Sequence, residues 1–234
     1  VRIRSCLKKI KLTHWNTVSK DLNRFSVVNN ELIIKINSLF KNWVKKYILI
    51  DQCGVIRFDY FIFKEIFKKS NIFNLKIIGK IIQTVGGKEH QPKRKQIYYL
   101  SKSLAFGNFN NQTLGNVRIF LKKNYIFFIR EQRNLDLNLN IKKNKKYIFD
   151  GRFLLSSSSA GKLIINEDEN YGNIAENSPF IEFKKLINNT IPCIQTLEGK
   201  RLKPHLYIID RQIKPVERNK PNSFKLYLIN RVLI

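Results

Sequence analysis

The residues best able to do chemistry in this chain are few, and their spacing excludes most reactions. Ser156-Ser-Ser-Ser-Ala-Gly-Lys162 has the outline of a phosphate-cradling loop. Such a loop requires glycine at the first position and Ser or Thr after the lysine, whereas Ser156 and Leu163 stand there. A hairpin turn is the expectation. Glu167, Asp168 and Glu169 form an acidic cluster, but no neighbouring His or further carboxylate completes a metal site, so a solvated loop is expected. Cys6, Cys53 and Cys193 are far apart, as are His14, His90 and His205. That spacing excludes a metal knuckle and points to a reducing compartment. No nucleophile elbow, zinc-protease helix or local Cys–His pair occurs.

What remains is charge interleaved with aromatic rings. Lys93, Arg94 and Lys95 precede Tyr98 and Tyr99, while Arg118, Lys122, Lys123, Arg130 and Arg133 flank Phe120, Tyr125 and Phe127. Cations hold phosphates and rings stack on unpaired bases. Phe120 and Phe127 read rather as the core of a hairpin. Lys93 to Lys95 follow a Gly-Gly corner and open a helix, whose first N–H groups also favour an anion. Arg2, Arg4, Lys8, Lys9 and Lys11 form a second basic run, read either as a phosphate contact or as a solvated terminus.

The whole chain supports an anionic partner. Its 234 residues carry a formal net charge of +27, with 43% hydrophobic and 26% charged residues, so it is globular. Residues 1–105 hold 22 basic against 6 acidic side chains, a net of +16. Codon bias is the competing source, since Lys, Asn and Ile exceed a third of the chain. Apolar runs are too short for a membrane span, and no apolar stretch follows the first residues as in a signal peptide. No methionine occurs, so an upstream portion is expected to precede this chain.

The elements that position these residues follow from hydrophobic period. Val18, Leu22, Phe25, Val28, Leu32, Ile36, Leu39 and Trp43 mark one helix face between 16 and 49, with Trp43 in the core. Asp51 to Gly54 turns, and 55–58 is extended. Asp59 caps a helix over 60–69, Ser70-Asn71 breaks it, and a third helix runs from Ile72 to Gly86-Gly87. A fourth spans 93–105. From 106 the period becomes that of strands: a loop over 106–112, a hairpin of 117–121 with 125–129, and an irregular edge over 135–146. A bent strand over 147–155 follows, returning through 162–165 as its hairpin partner. A short amphipathic helix over 179–187 precedes strands at 191–195, 206–209 and 224–229. The expected class is α+β: an N-terminal helical bundle, 1–108, followed by a β-rich domain with a few short helices, 109–234.

Five segments in order carry a family resemblance. They are Thr84-Val-Gly-Gly87 with Gln91-Pro-Lys-Arg94, Gln112-Thr-Leu-Gly-Asn-Val-Arg-Ile-Phe120, Phe127-Phe-Ile-Arg-Glu-Gln-Arg-Asn134, Tyr147-Ile-Phe-Asp-Gly-Arg-Phe-Leu-Leu155 and Lys200-Arg-Leu-Lys-Pro-His-Leu-Tyr-Ile-Ile209. Together they resemble the C-terminal half of bacterial tRNA(Ile)-lysidine synthetases across nearly the whole chain. Asn116 departs from a usual glycine and Phe149 from a usual tryptophan. The family's N-terminal PP-loop domain, with its Ser-Gly-Gly-x-Asp-Ser signature, has no match here, and the opening residues resemble the segment that follows it.

The resemblance implies a ligase whose full form uses ATP and Mg²⁺, bound by the N-terminal domain, to adenylate the wobble cytidine of tRNA(Ile). Free lysine then displaces AMP. This chain would be the tRNA-gripping part, cytoplasmic, inactive alone and without a cofactor of its own, with homodimerisation left open. The candidate tRNA contacts are Arg2, Arg4, Lys93, Arg94, Lys95, Arg118, Arg130, Arg133 and Arg152. Arg130 and Arg133 have a rival role, holding their corner together through Glu131. A free-standing basic RNA-binding or ribosome-associated protein is the alternative.

Overall fold

Asp59 turns the chain from strand to helix. Its Oδ1 accepts the Ile62 N–H at 3.0 Å, which caps α1 (Tyr60–Lys69). Ser70 both ends α1 and caps α2 (Asn71–Gly86), accepting the Phe73 N–H at 3.3 Å. Gly87, at φ 66°, terminates α2 in the left-handed conformation. α3 (Arg94–Ala105) starts after Lys93, whose N–H is held by Gln96 Oε1 at 3.2 Å. The computed structural model describes residues 40–133, 139–165, 178–209 and 224–229, with positions 27, 31, 34, 38 and 135. Arg2, Arg4, most of the expected 16–49 helix face and Glu167 to Glu169 lie outside the described residues.

The chain divides into two compact units, Val1–Lys46 and Tyr47–Ile234. In the first, the described positions 27, 31, 34, 38 and 40–46 are helical, with Phe40 and Val44 buried and Trp43 half-buried. The helix expected to reach Leu49 stops earlier. Residues Ile48–Ile50 form β1, because the Asp51–Gly54 turn folds them back antiparallel on β2 (Ile56–Asp59) and the β-branched pair Ile48 and Ile50 suits that ladder.

The second unit is mixed α+β. β3 (Gln112–Leu114), β4 (Val117–Lys122) and β5 (Tyr125–Arg130) join the first two strands in one sheet of order β1-β2-β5-β4-β3. β5 is central and apolar without alternation, because it is covered on both faces. Phe58, opposite Ile126, meets Phe63 of α1 edge-on at 6.0 Å, so this face carries the helices. Phe127 and Ile129 point the other way, into a core shared with Phe149, Phe153, Phe180 and Leu226. The division expected at 108/109 is therefore crossed by the β2–β5 ladder, which pairs Phe58 with Ile126 and Ile56 with Phe128. The extended stretch 55–58 was expected, but its partner β5 lies far along the chain, and no local pattern encodes that pairing.

Two four-stranded sheets follow. One has the order β11-β10-β9-β6, from Arg201–Leu202 (β11), Pro192–Thr196 (β10), Gly161–Ile165 (β9) and Asn140–Ile141 (β6). The other has the order β12-β13-β8-β7, from Pro204–Ile209 (β12), Phe224–Ile229 (β13), Phe153–Ser157 (β8) and Lys146–Phe149 (β7). A 3₁₀ turn, Ile181–Phe183, leads into α4 (Lys184–Asn188).

Two expectations need correction here. The stretch 147–155 is a tight hairpin rather than one bent strand, with Phe149 opposite Phe153 and both Asp150 and Gly151 at positive φ. An Asp-Gly pair favours that turn. β9 pairs with β10 and β6, while β8 pairs with β13 and β7, so 162–165 does not return on 153–157. Partner choice there depends on strands distant in sequence. No helix among the described residues is long and apolar enough to cross a membrane.

Candidate nucleic-acid interface

Four of the segments singled out in the sequence meet at one junction. A Cβ on Gly87 would overlap the Asp150 carbonyl oxygen, and one on Gly151 would overlap the Gly87 carbonyl oxygen. Both glycines also hold positive φ, 66° and 61°, so the helix end and the β7–β8 turn touch backbone to backbone. Gly86 meets the Gly115 carbonyl in the same way. The corner after α2, the β3–β4 turn, the end of β5 and the β7–β8 turn are thereby brought together.

Arg130 ties that junction. Its Nε and Nη2 donate to Asp150 at 2.8 and 2.7 Å, a two-pronged ion pair, and Nη1 donates to the Glu131 carbonyl at 2.6 Å. Longer bonds of 3.3 Å reach the Asn116 and Arg133 carbonyls. Arg152 shares the same carboxylate through Nε at 2.6 Å and gives Nη2 to the Thr190 carbonyl at 2.7 Å. Its guanidinium lies 4.8 Å over the Phe153 ring. Among the described residues its Nη1 is buried without a hydrogen bond. Burial, opposed by Asp150 and reinforced by the neighbouring Arg130, pulls the Arg152 pKa down to about 10.

Arg130 and Arg152 were expected to contact an anion from outside. At 2% and 1% exposure they cannot, and they act as internal struts. Adjacent Cys53 is also buried. Its thiol is pushed well above the usual range by burial and then by Asp51, which leaves it protonated and a poor nucleophile.

The other described candidates are at the surface. Lys93, Arg94 and Lys95 are exposed at the start of α3. Lys95 Nζ lies 5.8 Å over the ring of Tyr99, itself 57% exposed, beside Tyr98 at 5.9 Å. This is the one aromatic of the expected set placed as an open stacking surface among the described residues. Phe120 and Phe127 instead pack on Phe183 at 5.1 and 4.9 Å, as hairpin core. Lys122 and Lys123 face Glu182 at 2.5 and 4.0 Å, and the hydrogen bond from Lys122 holds that carboxyl below its ordinary value.

Arg118 is exposed on β4, opposite Thr113. With Thr113, Glu131, Gln132 and Arg133 it lines an open groove of about 420 Å³. Arg133 is exposed and 4.0 Å from Glu131, too far for a strong pair. The α3 start and the β3–β4 turn border a second cavity of about 270 Å³, where Pro92 and Gln96 face Leu114 and Gly115. Lys93 to Lys95 and Arg118 thus flank elements that meet: Arg118 lines the first hollow, and Lys93 to Lys95 lie in sequence between Pro92 and Gln96 of the second.

Ser156 to Lys162 runs from the end of β8 through residues 158–160 into β9, so a strand and not a helix follows the turn. Ser157 Oγ donates to the Ser159 carbonyl at 2.8 Å and accepts the Ser159 N–H at 3.1 Å, a serine turn. Among the described residues no cluster of His, Cys, Asp and Glu could hold a metal ion. Sequence reasoning missed Asp150 as the shared partner of two arginines. The Asp-Gly turn was visible, but a carboxylate's long-range partner is not. It also missed the amides around the second cavity. No protein-family model matches this chain, and no curated protein or solved structure matches it either.

Proposed function

We propose that this chain is an RNA-gripping module, the tRNA-recognition part of a tRNA(Ile)-lysidine synthetase. The observation that carries the reading is the convergence of the Gly86-Gly87 corner, the Gly115 turn, Arg130 and the Asp150-Gly151-Arg152 turn on one junction. Those are the segments that carry the resemblance, and their shared clamp gives them a common reason to occur in that order. The exposed cations border this junction on α3 and β4. With a net charge of +27, a polyanion is the natural partner.

In this reading Lys93, Arg94, Lys95, Arg118 and Arg133 hold phosphates and Tyr99 offers a stacking face. Arg2 and Arg4 are further tRNA contacts in the same proposal. ATP, Mg²⁺ and lysine belong to a catalytic domain outside this chain, in the cytoplasm. The test is titration of the chain with tRNA(Ile) and an unrelated tRNA across salt. Expected are a steep salt dependence, tighter binding of tRNA(Ile), and no transfer of labelled lysine to tRNA by the chain alone. Equal, salt-dependent binding of every RNA would favour the free-standing RNA-binding protein. Absence of binding at low salt would sink both.

A further inference from the structure

The cavity between α2, α3 and the β3–β4 turn has walls that a phosphate alone does not explain. Ile82, Pro92 and Leu114 supply apolar sides, and Gly115 presents backbone in place of a side chain. Three amides, Gln83, Gln91 and Gln96, also line it. Each amide is partly fixed by its surroundings. Gln83 Nε2 donates to the Glu89 carbonyl at 2.6 Å, which pins the loop after Gly87. Gln96 Oε1 is engaged by the Lys93 N–H at 3.2 Å. The Gln91 Oε1 lies against α2 where Gly79 has no side chain. Lys88 and His90 are exposed on the same lining, and Lys93 to Lys95 follow directly.

We infer that this cavity receives one unpaired base of a bound RNA, with the adjoining phosphates held by Lys88 and Lys93 to Lys95. The exposed Gln91 and Gln96 can offer their Nε2 donors to the acceptors on a base edge. Apolar walls accept the faces of a flat ring. At about 270 Å³ the space falls just below the about 300–1,000 Å³ of small-molecule pockets. One base fits that size better than a folded cofactor does. An aliphatic ligand would make no use of the amides, and an isolated phosphate would leave the apolar walls unused. The inference rests on the RNA-binding reading and adds to it where a base, rather than a backbone, is held.

The test uses the full 234-residue chain, an octamer of adenosines, and the same octamer with abasic ribose at every position. The two carry identical phosphates. The chain is expected to bind the base-bearing octamer about ten-fold more tightly, as one well-held base would give. Gln91→Leu with Gln96→Leu should abolish that preference while leaving affinity for the abasic octamer and its salt slope unchanged. Leu114→Trp, which fills the cavity, should do the same, and melting curves confirm that each variant is folded. A preference that persists in both variants assigns the base to another surface, such as Tyr99, and overturns the inference. So does equal binding of both octamers with a normal salt slope, although the RNA reading then stands. Displacement of the octamer by adenosine monophosphate at lower concentrations than by RNA shows a free-nucleotide site and overturns it as well. Binding of neither octamer nor tRNA overturns the RNA reading itself.

Discussion

Arg130 and Arg152 lie inside the second unit, whereas Arg94 and Arg118 lie on its surface, and the two pairs do opposite work. The inner pair closes on one carboxylate, Asp150, so that two guanidiniums and one carboxylate leave a buried excess of positive charge. Main-chain carbonyls of Glu131 and Thr190 and the Phe153 ring spread that excess. The outer pair is exposed to solvent, and among the described residues it forms no ion pair. The lesson is that a basic motif marks an anion site only where the charge can reach solvent. Inside, the same residue type binds turns together.

The largest break of this contrast is Asp150→Asn. It keeps a residue that tolerates the turn's φ of 50° and removes the charge between two buried cations. A loss of at least about 3–5 kcal/mol is expected in denaturant unfolding. A change below about 1 kcal/mol would mean that the junction is held by packing alone. Arg130→Ala comes next. It frees part of the carboxylate but leaves Arg152 as its partner, so about 3 kcal/mol is expected, with RNA affinity of the folded fraction unchanged. Weakened binding at full stability would return Arg130 to the interface.

The surface pair sharpens the comparison from the other side. Arg94→Ala and Arg118→Ala should each alter stability by no more than about 0.5 kcal/mol. Each should lower the log–log salt slope for tRNA binding by about 0.7 to 0.9. Unchanged slopes in both would take the anion site away from α3 and β4. The smallest effect belongs to Glu182→Gln. The folded-state carboxyl titrates below its unfolded value, so its contribution is present above the ordinary carboxylate range and is lost as pH falls through the lowered value. Wild type and variant should therefore melt slightly apart at pH 7 and together at strongly acid pH. A gap that persists in acid would mean the pair acts through shape rather than charge.

Local signals were legible because they depend on neighbours in sequence. The caps at Asp59 and Ser70, the stop at Gly87, the span of α3 and the hairpin of β4 with β5 all follow from side chains within a few residues of one another. The exposure of Lys93 to Lys95 also followed, since they lie off the Ile97, Leu100 and Leu104 face of α3. The strand over 224–229 was equally plain, though its parallel partner β12 was not.

Long-range pairing decided the rest. Whether β9 joins β8 or β10 depends on competition among strands of similar composition, which no local period encodes. The placing of β2 beside β5 likewise joined the helical and β-rich stretches into one layered unit. The burial of Arg130 and Arg152 could not be read from their charge, because a guanidinium is driven outward unless a carboxylate distant from Arg130 in sequence is folded against it. The residues themselves determined the helices, the hairpins and the excess of positive charge. Only tertiary structure decided which cations were spent on holding turns together and which were left facing solvent, because desolvating a charge is tolerable only where its partners are already in place.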